Sequence, residues 1–112
     1  MVEEKYAPNR GDIVWIDFSP QLGHEQRGRR PAVVISHRTY NQKVGLALFC
    51  PITSKVKNFP FEVPIFSSSV SGSVLSDQVK SLDWTTRNIE FIEAIDPGKL
   101  NDVVERVRVL IG

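Results

Sequence analysis

Apolar positions along this chain fall in short continuous runs or alternate with a period of two, and only the C-terminal segment switches to a helical period. The segment 12–18 (DIVWIDF) is rich in β-branched and aromatic residues and predicts a strand. Residues 31–36 (PAVVIS) form an unbroken apolar run, which predicts a second strand buried on both faces. Residues 45–53 (GLALFCPIT) predict a third, ending near Pro51. Shorter strands are expected at 61–66, 73–76 and 78–82, broken by a serine-rich turn at 67–73. A turn at 83–88 then leads to a last strand at 89–95. Residues 38–43 read as a turn or one short helical turn. Residues 19–30 (SPQLGHEQRGRR) carry Pro20, Gly23 and Gly28 and no apolar period, a loop long enough for so small a chain to suggest function.

At the C-terminus, Asp96 has the character of an N-cap and Pro97 suits the first helical position. Leu100, Val103, Val104, Val107, Leu110 and Ile111 follow at helical spacing and make one apolar stripe, core or subunit interface. Asp102 with Arg106 and Glu105 with Arg108 stand at pairing distance on the polar face. Six or seven short strands followed by one helix predict a mostly antiparallel, partly open β-barrel with a terminal helix. The 112 residues suffice for one domain, 1–112, without repeat, low-complexity tract or linker.

Composition changes this picture little: 41% hydrophobic and 24% charged residues are ordinary for a globular chain. The single cysteine, Cys50, lies in an apolar run and reads as buried filler. With no signal region, no membrane-length apolar stretch and no possible internal disulfide, a cytoplasmic location is expected. Net charge is only +1, but its distribution is uneven. Within 24–57, Arg27, Arg29, Arg30, Arg38, Lys43, Lys55 and Lys57 face Glu25 alone; charge asymmetry by itself favours a merely solvated face over a polyanion contacted at one site, and the motifs below reverse that order.

Two histidines and one cysteine lack zinc-ligand spacing, no acidic cluster resembles a magnesium site, and phosphate loops, dinucleotide fingerprints and a serine-hydrolase elbow are missing. No metal or cofactor is therefore expected. The loop His24-Glu25-Gln26-Arg27-Gly28-Arg29-Arg30-Pro31 carries imidazole, carboxylate and guanidinium groups at the mouth of a strand. Metal-free cleavage of an RNA phosphodiester needs these types: a base for the 2′-hydroxyl, an acid for the 5′-oxygen, and cations for the charge building on phosphorus. Arg30 is held by Pro31 and a buried strand, whereas Arg27 and Arg29 flank Gly28 and read as mobile phosphate contacts. Thr53-Ser54 ends the third strand. If the second and third strands pair as a meander, Arg30 and Thr53 become neighbours. Alternation places Ser76, Gln78 and Lys80 on one face, where Gln78 suits a base edge, though a strand with one wet face explains the pattern equally. Trp15, Phe18, Phe59, Phe61 and Trp84 are stacking platforms or core.

These segments in order, Arg10-Gly11-Asp12, Ile13 to Phe18, Ser19-Pro20, Gly23 to Gln26, Arg29 to Val34, Tyr40-Asn41, Pro51 to Ser54, Phe59 to Val63, Asp77 to Trp84 and Val109 to Gly112, resemble the MazF/PemK/Kid toxin family over nearly the whole chain. The resemblance implies an SH3-like barrel with a C-terminal helix, assembled as a homodimer. It implies a toxin of a type II toxin–antitoxin system that arrests growth by cutting single-stranded RNA, mRNA or rRNA, sequence-specifically and without metal, leaving a 2′,3′-cyclic phosphate. The partner implied is a MazE-like antitoxin whose acidic tail fills the RNA groove. By position, Arg30 and Thr53 correspond to the catalytic pair and Glu25 to a further activity-linked residue. Ser19, His24, Gln26, Arg29, Ser54, Lys57 and Gln78 are the candidate RNA contacts. A gyrase-binding toxin of CcdB type, which cleaves nothing, is the alternative reading within the same fold; the Arg30-Pro31 and Thr53 pairing disfavours it.

Overall fold

A computed structural model describes residues 5–18 and 28–112. Its strands are β1 (Asp12–Asp17), β2 (Arg29–Val34), β3 (Leu46–Thr53), β4 (Glu62–Phe66), β5 (Ser71–Leu75), β6 (Lys80–Asp83) and β7 (Glu90–Ala94). Helix α1 (Arg38–Val44) separates β2 from β3, and α2 (Pro97–Ile111) closes the chain. The sheet runs β4-β5-β3-β2-β1-β7, every recorded pairing antiparallel, with β6 added beside β3. Strand β3 carries two neighbours on one edge, β6 along Leu46–Phe49 and β5 at Ile52 and Thr53, and β2 on the other. The sheet curls into a half-barrel. Its outer strands β4 and β7 are bridged by a side chain rather than a ladder: the Ser67 hydroxyl, just past β4, donates to Glu93 of β7.

Two apolar clusters sit on opposite faces of the central strands. One joins Ile13, Val33, Cys50, Ile52, Val63, Ile65 and Val74 to Val103 and Val107 of α2. The other joins Val14, Ile16, Phe18, Ala32, Val34, Ala47, Phe49 and Leu82. Successive residues of β2 therefore enter different cores, which accounts for its continuous apolar run. Helix α2 starts as its sequence predicts: the Asp96 carboxylate accepts from the backbone N–H groups of Gly98 (3.0 Å) and Lys99 (3.2 Å). Its stripe divides, with Val103 and Val107 buried and Leu110 and Ile111 exposed. Glu105 and Arg108 pair at 3.1 Å, whereas Arg106 turns away from the Asp102 carboxylate to donate to the carbonyl oxygens of Pro60 and Asp102.

Three local expectations need correction. The turn or single helical turn expected at 38–43 is a longer, seven-residue helix, ended by Gly45 in the left-handed region (φ 76°). It is anchored by Asn41, fully buried, whose amide donates to the carbonyls of Pro8 (2.9 Å) and Ser36 (3.0 Å) and accepts from the Ser36 hydroxyl. The expected strand at 78–82 begins only at Lys80, because Ser76–Gln78 form a 3₁₀ turn. Ser76 is consequently buried while Gln78 and Lys80 are exposed, and the shared face drawn from alternation does not form. The serine-rich turn is shorter than expected, since β5 already starts at Ser71.

Cys50 is buried, and burial pushes its thiol up to about 12, with the Asp77 carboxylate adding to the rise. The native protein at about pH 8 is expected to resist iodoacetamide, because the thiolate is the reactive species. Alkylation followed by mass spectrometry should show Cys50 modified only after denaturant is added; equal rates in both states would contradict this burial.

Candidate active site

The β2–β3 register pairs Ala32 with Pro51, Val33 with Cys50 and Val34 with Phe49. Continued two residues toward the start of β2, the same register sets Arg30 against Thr53. Both side chains line one cavity of about 500 Å³, together with Trp15, Arg29, Pro31, Ser54 and Lys55 and with Ser69 to Ser71 beyond β4. Arg30 is exposed and Thr53 half-buried. The Thr53 hydroxyl oxygen accepts from the backbone N–H of Lys55 at 3.0 Å. That contact occupies a lone pair and leaves the hydroxyl proton to be donated toward whatever enters the cavity.

Gly72 holds this end of β3 in place. It lies in β5 at φ 151°, and a Cβ there would sit 2.2 Å from the Thr53 carbonyl oxygen. Only a glycine allows β5 to approach the Thr53–Ser54 backbone so closely. The sequence reading placed Gly72 in a turn, although a glycine within a strand pattern is itself a signal of close approach.

Arg29 lines the same cavity, but its guanidinium is committed elsewhere. It donates to the Asn88 carbonyl (2.6 Å) and to the Glu90 carboxylate (2.9 Å), and it lies 3.8 Å from the Asp17 carboxylate across the β1–β2 ladder. The expectation of a mobile Arg29 is therefore corrected: β7 and β1 fix it. Next to it the Phe18 N–H donates to the Gly28 carbonyl at 2.8 Å, and Arg87 donates to the carbonyls of Asp17 and Phe18. These bonds brace both stems of the segment 19–27. Glu25, Ser19, His24 and Gln26 belong to that segment and lie outside the described residues, as does Arg27.

A second cavity of about 290 Å³ adjoins the first and shares Thr53 and Lys55 with it. Its walls are Lys57, Phe59, Phe61, Glu62, Leu75, Asp77 and Gln78. The 3₁₀ turn that removes Gln78 from a strand thus delivers it to this cavity. Phe59 is 61% exposed, enough to offer a ring face, and the Lys57 ammonium lies 5.9 Å from its centre. Of the other aromatic candidates, Phe18 is core, and the Trp84 indole donates to the Asn41 carbonyl. Among the described residues, no three His, Cys, Asp or Glu side chains cluster as a metal site.

Glu62 was not singled out from sequence by its chemistry, and a lone acid beside an apolar strand carries little signal. It is nearly buried, and one of its carboxylate oxygens accepts from the backbone N–H groups of both Lys57 (3.1 Å) and Asn58 (3.0 Å). Asn58 adopts φ 60°, so this acceptor stabilises a sharp bend that places Lys55, Lys57 and Phe59 around the second cavity. Glu62→Ala should raise amide hydrogen exchange at Lys57 and Asn58 about tenfold or more, while Glu62→Gln keeps most of the protection. Unchanged exchange in Glu62→Ala would show that the loop holds its shape without the carboxylate.

Comparison with known proteins converges on one family. A family model described as PemK-like, MazF-like toxin of type II toxin–antitoxin system matches residues 9–111. The Escherichia coli K12 endoribonuclease toxin MazF is 42% identical over 108 residues, covering 96% of this chain and 97% of the relative. The E. coli endoribonuclease toxin ChpB is 44% identical over 85 residues, 70% of this chain and 72% of its own length. Among solved structures, MazF from Deinococcus radiodurans superposes with a TM-score of 0.87 at 44% identity, covering 96% of this chain and 99% of that one. A MazE–MazF structure from the same organism gives 0.85 at 38%, covering 96% and 98%. These relatives lend no support to a gyrase-binding alternative, and the expected barrel with its C-terminal helix is the fold they share. The chain belongs to the PemK-like, MazF-like toxins of type II toxin–antitoxin systems.

Proposed function

We propose that this endoribonuclease cuts single-stranded RNA at the Arg30–Thr53 cavity by attack of the 2′-hydroxyl on the adjacent phosphate, without a metal ion. The observation that carries the reading is the convergence of an exposed guanidinium and an oriented hydroxyl donor on one open cavity. The 2′-oxygen bonds to phosphorus and the P–O5′ bond breaks, leaving a 2′,3′-cyclic phosphate and a 5′-hydroxyl. The Arg30 fork binds two phosphate oxygens as their charge grows, and Thr53 donates to a third position on the same group. The proton of the 2′-hydroxyl passes to a base, a role assigned to Glu25, and the departing 5′-oxygen takes up a proton from solvent water.

Ser54 adds a contact within the first cavity, and Lys57 and Gln78 extend it along the second, where Phe59 stacks a base and Gln78 bonds its edge. Ser19, His24 and Gln26 are assigned to substrate binding. Arg29, tied to Asn88 and Glu90, serves mainly to hold the stem of that segment. The partner is an antitoxin of MazE type whose acidic tail competes with RNA for these cations. A homodimer forms through the apolar end of α2, where Val109 and Ile111 are 72% and 78% exposed. The single toxin domain acts in the cytoplasm; among the described residues no helix is long and apolar enough to cross a membrane.

Arg30→Ala should lower kcat on RNA about 10²- to 10³-fold. Thr53→Val should lower it roughly ten- to a hundredfold, the value of one hydrogen bond to a charged group. Excess chelator should change neither wild-type rate nor product ends. Full cleavage by Arg30→Ala, or loss of cleavage with chelator, would overturn the assignment.

A further inference from the structure

A second basic surface lies at the far end of β2, remote from Arg30. Eight residues separate Arg30 from Arg38, at most about 26 Å of extended chain. Two adjoining cavities of about 590 and 530 Å³ meet there, sharing Arg38 and Gln42. Lys5 and Lys43 complete their cationic lining, with His37 beside them, and no carboxylate lines either one among the described residues. The Asp12 carboxylate accepts from the Tyr6 hydroxyl (2.5 Å) and the Asn9 N–H (3.0 Å) and belongs to neither lining. Arg38 is pre-set: its backbone N–H donates to the Asn9 side chain at 3.0 Å and its Nε to the Ala7 carbonyl at 3.1 Å. Arg38 is exposed, and it lines one cavity with Lys43 and the other with Lys5.

We propose that this Lys5–Arg38–Lys43 surface is a non-catalytic subsite for the phosphate backbone of RNA lying several nucleotides from the cut. The proposal rests on the endoribonuclease reading and extends it to long substrates. The chemistry favours a phosphate chain over an acidic peptide. Peptide sites need apolar anchors, and the lining offers only Ala7 and Tyr6, whose ring packs on Phe91 at 5.9 Å with its hydroxyl already bonded. Backbone phosphates need only cations and polar donors, which Arg38, Lys43, Lys5, Asn9 and Gln42 supply. Neither cavity shares a residue with the catalytic one, so occupation adds affinity and leaves the chemical step unaltered.

The test compares a transcript of several hundred nucleotides with a short oligonucleotide carrying one of its mapped cut sites, each with wild type and Arg38→Ala/Lys43→Ala. Lys43→Ala alone guards against misfolding, since Lys43 makes no hydrogen bond or ion pair among the described residues. The expected result is a roughly five- to tenfold rise in KM on the transcript for the double variant, with kcat and all short-oligonucleotide kinetics unchanged. The slope of log affinity against log salt for transcript binding should fall by about 1.4 in the double variant, roughly 0.7 for each cation lost on a single strand, and by about half that in Lys43→Ala. Unchanged transcript KM and salt slope would overturn the proposal. So would loss of binding to an acidic antitoxin-tail peptide with transcript affinity intact, because the surface would then serve a protein. If wild type cuts neither RNA, the enzymatic reading fails, yet transcript affinity from filter binding still decides whether this surface holds phosphate.

Discussion

The antiparallel register of β2 on β3 is the constraint from which the rest of this site follows. A slip of one residue would move Arg30 off Thr53 and would also exchange the two faces of the strand. Such a slip is blocked from both sides. Val33 and Cys50 enter one apolar cluster, while Ala32, Val34 and Phe49 enter the other, so no alternative register keeps either core filled. The placement of a guanidinium beside a hydroxyl is thus enforced by the most deeply buried part of the molecule, and the two groups need no direct bond to find each other.

The surrounding elements refine that placement. The end of β3 is pressed by β5 at Gly72, which admits no side chain against the Thr53 carbonyl. The start of β2 is tied outward to β7 through Arg29, Asn88 and Glu90. One cavity wall is therefore set by a close backbone approach and the other by an ion pair, and between them lies the open space that Arg30 and Thr53 line.

Much of this was legible in the residues themselves. Continuous apolar runs marked β2 and β3, an N-cap and a proline marked α2, and a meander of the two strands was enough to bring Arg30 to Thr53. What escaped was decided by tertiary partners. Its place beside Gly28 made Arg29 read as mobile, and nothing local shows that its guanidinium is spent on the carbonyl of Asn88 and the carboxylate of Glu90. Asn41 resembles any helix-edge polar residue until its amide is seen sealing the backbone of Pro8 and Ser36. Alternation misplaced Gln78 because the chain leaves the ladder at Ser76, where its N–H turns to the Phe61 carbonyl. Glu25, the assigned base, lies outside the described residues, and its role comes from the family resemblance.

The carboxylate of Glu62 has a thermodynamic consequence. By gripping two consecutive amides it orders the segment from Lys55 to Phe59 when the protein folds, before any RNA arrives. The conformational entropy of that segment is then lost once, against folding stability, and is not charged to each binding event. Lysines on a slack loop would bind RNA through attraction offset by their own ordering. Held in this bend, they can hold a strand firmly enough to be cut and still release the products without a slow refolding of the loop.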